Sequence, residues 1–141
     1  MQPDRILSYA SDGLTAALYR GQYAPPSDRI VIILGGSDGS YALTQTYAAV
    51  FAENGLTALA VPYRGQPHLA QGLAQIAVET VETAVRRAQE MGFYQTGVWG
   101  ISMGAQLALL AASLIPDIGR VAAVSPLDVC VQGLQTAPRR K

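Results

Sequence analysis

From Arg29 to Leu34 the chain reads Arg-Ile-Val-Ile-Ile-Leu, a β-branched run with no polar alternation after its first residue. That pattern predicts a strand covered on both faces. Leu56 to Val61, ended by Pro62, reads the same way, and Thr96 to Trp99 and Arg120 to Val124 predict two further short strands. Between these runs the apolar period lengthens. Tyr41 to Glu53, closed by Asn54-Gly55, predicts a helix, and so does Leu73 to Glu90, stopped by Gly92. In the second helix Ile76, Val78, Val81 and Val85 keep roughly helical spacing, while Glu79, Glu82, Arg86 and Arg87 fall on the opposite face. Met103 to Leu114 is rich in Ala and Leu and predicts a helix buried on most sides, broken at Ile115-Pro116-Asp117. Near the start, Arg5 to Ala10 and Leu14 to Tyr19 predict two strands joined at Ser11-Asp12-Gly13, where Asp-Gly supplies a positive-φ position cheaply. Strands alternating with helices predict an α/β fold. The expected architecture is a mostly parallel, doubly wound sheet with an N-terminal antiparallel hairpin, in a single domain over residues 1–141.

Composition then removes several classes of function. The 141 residues are 50% hydrophobic and 14% charged, with ten basic and ten acidic side chains and a formal net charge of zero. The basic run Arg139-Arg140-Lys141 reads as a solvated tail, so neither a nucleic-acid groove nor an electrostatic hold on anionic membranes is expected. One cysteine, Cys130, allows no intrachain disulfide; with one histidine and scattered carboxylates, no metal site and no cofactor are expected. Residues Met1 to Arg5 lack the basic and apolar regions of a secretory signal, and no apolar run is long enough to span a bilayer. The expected compartment is the cytoplasm.

The informative segment is Gly97-Val98-Trp99-Gly100-Ile101-Ser102-Met103-Gly104-Ala105. It holds G-x-S-x-G between a predicted strand and a predicted helix. A sharp strand-to-helix turn there holds the central serine in a strained geometry with its hydroxyl exposed above the sheet. Ser102 is therefore the candidate nucleophile; the competing reading makes it a simple helix cap, with Gly100 and Gly104 only allowing close packing. Gly35-Gly36-Ser37-Asp38-Gly39 follows the first parallel strand, where an oxyanion-hole amide is expected from Gly36 or Ser37, with a second from Met103. The loop matches neither G-x-G-x-x-G nor a P-loop, and Asp38 would repel a phosphate.

These segments resemble the α/β-hydrolase domain of the acyl-CoA thioesterase and bile-acid-CoA:amino-acid N-acyltransferase family. The resemblance rests on Ile33-Leu34-Gly35-Gly36-Ser37-Asp38-Gly39, on Gly100 to Leu109, on Val121-Ala122-Ala123-Val124-Ser125-Pro126 and on Gln132-Gly133-Leu134, in that order. It implies acyl transfer from an acyl-CoA or related ester through an acyl-Ser102 intermediate. The family commonly has a basic residue where Met103 stands and an acidic one where Gln106 stands, and its larger members add an N-terminal β-domain.

In α/β-hydrolases the triad acid and histidine follow the serine. No histidine follows Ser102 here; His68 precedes it, in the loop Arg64-Gly65-Gln66-Pro67-His68, and is expected at the pocket rim rather than as the base. Asp38, Arg64, His68 and Asp128 are candidates to line the pocket; Arg64 could meet a CoA phosphate, although a solvated loop arginine is commoner. Asp117 reads as a turn residue and Cys130 as a small hydrophobe. The expectation is a partial hydrolase domain without the strands that carry acid and base. Arg120 to Val124 would then be an apolar, unpaired edge able to pair with a second copy. The alternative to an active hydrolase is an inactive remnant or interaction module.

Overall fold

The computed structural model describes residues 1–22, 27–36, 40–63 and 75–125. Among the described residues ten elements follow in order: β1 (Arg5–Leu7), α1 (Tyr9–Asp12), β2 (Ala16–Tyr19), β3 (Arg29–Leu34), α2 (Tyr41–Glu53), β4 (Ala58–Ala60), α3 (Gln75–Glu90), β5 (Gln95–Ile101), α4 (Met103–Leu114) and β6 (Ile118–Val124). The six strands make one sheet in the order β1-β2-β4-β3-β5-β6. β4, β3, β5 and β6 run parallel, while β2 is antiparallel to both β1 and β4. The fold is α/β.

The unbroken apolar run of β3 has a direct structural cause, since both faces of the sheet are covered. Ile30, Ile32 and Leu34 face one layer, where they meet Val81, Ala84, Val85 and Ala88 of α3 and Leu107, Ala108 and Ala111 of α4. Val31 and Ile33 face the other, against Ala48 and Ala52 of α2. Period-two alternation in β3 therefore sorts one apolar residue from another, and no polar residue is tolerated. In β5 the same alternation sends Val98 to the first layer and Trp99 to the second, where its ring lies 5.3 Å from Tyr47 and 5.7 Å from Phe51.

Two expectations are corrected. The N-terminal hairpin is present, but its first strand ends at Leu7, and Tyr9–Asp12 turn once as helix α1. Local polar groups win over the ladder here: the Ser8 amide donates to the Asp12 carboxylate at 3.0 Å, and the Asp12 amide donates to the Ser8 carbonyl at 2.8 Å. The turn closes at Gly13, with φ 81°. Helix α4 is also less enclosed than expected, because Leu109, Leu110 and Leu114 are exposed. It packs on β3, β5, β6 and α3 with one flank, and no described element covers the other. β6 is the sheet edge, paired with β5 alone among the described residues and exposed from Gly119 to Ala122. The predicted helix start at Leu73 lies outside the described residues. No helix among the described residues is long and apolar enough to cross a membrane.

Candidate active site

β5 ends at Ile101 and α4 begins at Met103, so one residue makes the whole turn from strand to helix. That residue, Ser102, has φ 56° and ψ −118°. This conformation costs an L-residue about 1–3 kcal/mol and persists only where the surroundings fix it. They do so through the main chain. The Ser102 amide donates to the Val124 carbonyl of β6 at 2.9 Å, and the Ser102 carbonyl accepts from the Ala105 and Gln106 amides at 3.0 and 3.3 Å. The side chain is exposed and makes no capping hydrogen bond, so the helix-cap reading of Ser102 does not hold.

The flanking glycines are required by contact. A Cβ on Gly100 would overlap the Gly104 carbonyl, so the strand end and the first helical turn pack backbone to backbone. A Cβ on Gly104 would overlap the carbonyl oxygens of Gly35 and Leu34. The end of β3 and the start of α4 are thus in main-chain contact, and the two glycine-rich segments picked out from the sequence meet at one place.

Gly35 is gripped from several sides. A Cβ there would overlap the Thr44 hydroxyl of α2, a buried group that itself donates to the Ser40 carbonyl at 3.0 Å. On the carbonyl side, the hydroxyl of Tyr63, a residue 4% exposed, donates to Gly35 O at 2.6 Å and lies 3.3 Å from Gly36 O. Gly36 therefore stands just beyond a fixed peptide, at the C-terminal end of β3. Met103, buried, is the first residue of α4, and a first-turn helical amide has no acceptor within its own helix. The N-terminus of α4 adds partial positive charge beside Ser102. The arrangement sets an exposed hydroxyl beside a helix N-terminus, with the held Gly35 peptide packed against the first turn of that helix.

Gly35, Gly36, Ser40, Tyr41, Thr44, Pro62 and Tyr63 line a small recess. The Tyr41 hydroxyl is enclosed and without a hydrogen-bond partner among the described residues. Its burial, with a smaller contribution from Tyr19, pushes its pKa from 10.0 to about 12.

Of the site residues expected from the sequence, Ser102, Gly36 and Met103 are described and cluster at the C-terminal end of the sheet. Ser37, Asp38, Arg64, His68 and Asp128 lie outside the described residues, as does Cys130. Asp117 sits in the turn ahead of β6, at the end of the sheet opposite Ser102. Tyr63 and Tyr41 were not foreseen. A tyrosine after Val61-Pro62 looks like a strand-end hydrophobe, and only the tertiary contact shows what its hydroxyl reaches. Among the described residues no group of His, Cys, Asp and Glu is placed to hold a metal ion.

No protein-family model and no curated protein matches the chain. Solved structures do. An α/β hydrolase (GrgF) from a Penicillium species is 24% identical, with a TM-score of 0.65 over 81% of this chain and 42% of its own. An esterase from Pyrococcus furiosus is 23% identical, with a TM-score of 0.64 over 80% of this chain and 47% of its own. A proline iminopeptidase from Mycobacterium smegmatis is 19% identical, with a TM-score of 0.63 over 86% of this chain and 43% of its own. The chain spans less than half the length of each of these three. None of the three carries the name of a thioesterase or an N-acyltransferase, so they bear on architecture and leave the acyl-CoA resemblance to the sequence motifs. With its mixed six-stranded sheet, its strand–Ser102–helix turn and these neighbours, the chain has the α/β-hydrolase fold.

Proposed function

We propose that the chain is part of a serine hydrolase that cleaves acyl esters or thioesters through an acyl-Ser102 intermediate. The observation that carries this reading is the backbone of Ser102, held at φ 56° and ψ −118° with its side chain exposed and capping nothing. A serine needed only to start a helix would take an extended conformation and turn its hydroxyl onto the helix amides. Here the strain serves to present the hydroxyl.

In the proposed reaction the Ser102 Oγ bonds to the acyl carbon while its proton passes to a general base. The carbonyl π pair moves onto oxygen, which the amides of Gly36 or Ser37 and of Met103 receive. Collapse of this adduct breaks the bond to the alcohol or thiol, which leaves with the proton from the base. Water, giving a proton to the same base, then attacks the acyl-serine; the acyl–Oγ bond breaks, the base returns its proton to Ser102 Oγ, and the acid is released. The base and its orienting acid come from outside the described residues. The motifs shared with acyl-CoA thioesterases favour a thioester substrate, and the esterase among the structural neighbours favours simple esters too.

The test is intact-mass measurement after exposure to a fluorophosphonate and, separately, to a short acyl thioester. Covalent mass gain on Ser102, absent in Ser102→Ala, is the expected result. Thioester turnover no better than that of Ser102→Ala, with no labelling, would overturn the reading and leave the chain an inactive module.

A further inference from the structure

We infer that Tyr63 is a positioning residue for the oxyanion-hole amide of Gly36, an inference that rests on the hydrolase reading above. The peptide joining Gly35 to Gly36 has no side chain on either flank, so nothing in its own two residues fixes which way it faces. Its orientation nevertheless decides whether the loop helps or hinders. With the Gly36 N–H turned toward a developing oxyanion the loop stabilises charge; turned over, it offers the Gly35 carbonyl and repels that charge.

The structure shows what holds the peptide. The Tyr63 hydroxyl donates to Gly35 O at 2.6 Å, from a ring that is 4% exposed and part of the core beneath β4. No peptide bond among the described residues is cis, so the Gly36 N–H points opposite to the Gly35 carbonyl. Fixing one fixes the other. The same hydroxyl lies 3.3 Å from Gly36 O, which biases the next peptide in the same sense. Gly104, lying against Gly35 O, and Thr44, lying against Gly35, pack the residue in place but donate nothing to that oxygen. Only Tyr63, among the described residues, gives Gly35 O a side-chain hydrogen bond. A buried hydroxyl spent on a loop carbonyl is also stiff, because turning the peptide would leave it without this partner.

The experiment is Tyr63→Phe in the full chain, which keeps the ring in the core and deletes one oxygen. Two readouts are taken. The first is the NMR carbonyl resonance of Gly35 in glycine-labelled protein, expected to move upfield as its hydrogen bond is lost. The second is kcat against KM on a p-nitrophenyl ester. We expect kcat to fall about 10-fold or more with KM within about twofold, less than the ~10²–10³ lost when an oxyanion donor is removed outright. A merely structural role for Tyr63 would lower the unfolding midpoint and leave kcat of the folded fraction unchanged. An unmoved Gly35 resonance, or an unmoved kcat in a variant whose parent labels at Ser102, overturns this inference alone. A parent that neither labels nor turns over overturns the hydrolase reading, and this inference with it.

Discussion

The main chain of Gly104 lies against the carbonyl oxygen of Gly35, with no room for a methyl group between them. With the neighbouring Leu34 carbonyl, this contact holds the first turn of α4 against the end of β3, across a sequence gap that spans α2, β4, α3 and β5. It makes the geometry of the Ser102 turn sensitive to a single added carbon. Gly104→Ala is expected to destabilise the fold by about 1–3 kcal/mol through overpacking against rigid backbone. It should also reduce fluorophosphonate labelling of Ser102 in the fraction that remains folded. Denaturant unfolding followed by labelling under native conditions measures both.

Strain at Ser102 predicts an unusual order of stabilities. Its φ of 56° and ψ of −118° suit glycine and penalise any residue with a Cβ. Relief of about 1–3 kcal/mol, less an entropic cost of about 0.5–1 kcal/mol, should leave Ser102→Gly more stable than Ser102→Ala by roughly 1 kcal/mol. Urea midpoints of the two variants test this. Equal midpoints would show that the turn stores no strain.

Burial of Tyr41 predicts a loss of stability in alkali. Its pKa is about 12 in the folded chain against 10.0 when unfolded. The folded state therefore holds its proton more tightly. The associated stability is complete below pH 10 and is lost as pH rises from 10 toward 12. Tyr19, whose pKa burial also raises, adds a slope of the same sign. Tyr41→Phe should flatten part of that slope, read from urea midpoints at pH 9, 10 and 11, with Tyr19 accounting for what remains.

The two sides of α4 should respond very differently to truncation. Leu107 is 3% exposed in the core layer beneath the sheet, whereas Leu114 is 61% exposed. Leu107→Ala is expected to cost about 2–5 kcal/mol, and Leu114→Ala no more than about 0.5 kcal/mol. Thermal unfolding of the pair checks whether the exposed flank of the helix is free in solution. A large loss in Leu114→Ala would mean that something covers it.

Some of this architecture is legible residue by residue. The bounds of β3, α2 and α4 follow from the apolar run at Arg29–Leu34, the Asn54-Gly55 stop and the Pro116 break, because each is a local signal of burial period or backbone freedom. β5 extends beyond its predicted Thr96–Trp99 core to Gln95 and Ile101, since its ladder partners, β3 and β6, continue on both sides. The start of the chain misleads for a related reason. Ser8 and Asp12 each satisfy the other's main chain, and this local exchange ends a strand that the apolar pattern would have carried to Ala10.

The sequence by itself determined the alternation of strands and helices, the strand–serine–helix turn and the two glycine-rich segments that meet beside it, since these depend on periodicity and on which residues lack a Cβ. Only the tertiary structure decided that Gly104 rests on Gly35, that Val124 holds the Ser102 amide, and that Tyr63 donates to a carbonyl 28 residues earlier. Each of those is a main-chain or hydroxyl contact between distant segments. Such contacts join segments far apart in the chain, so no run of neighbouring residues encodes them.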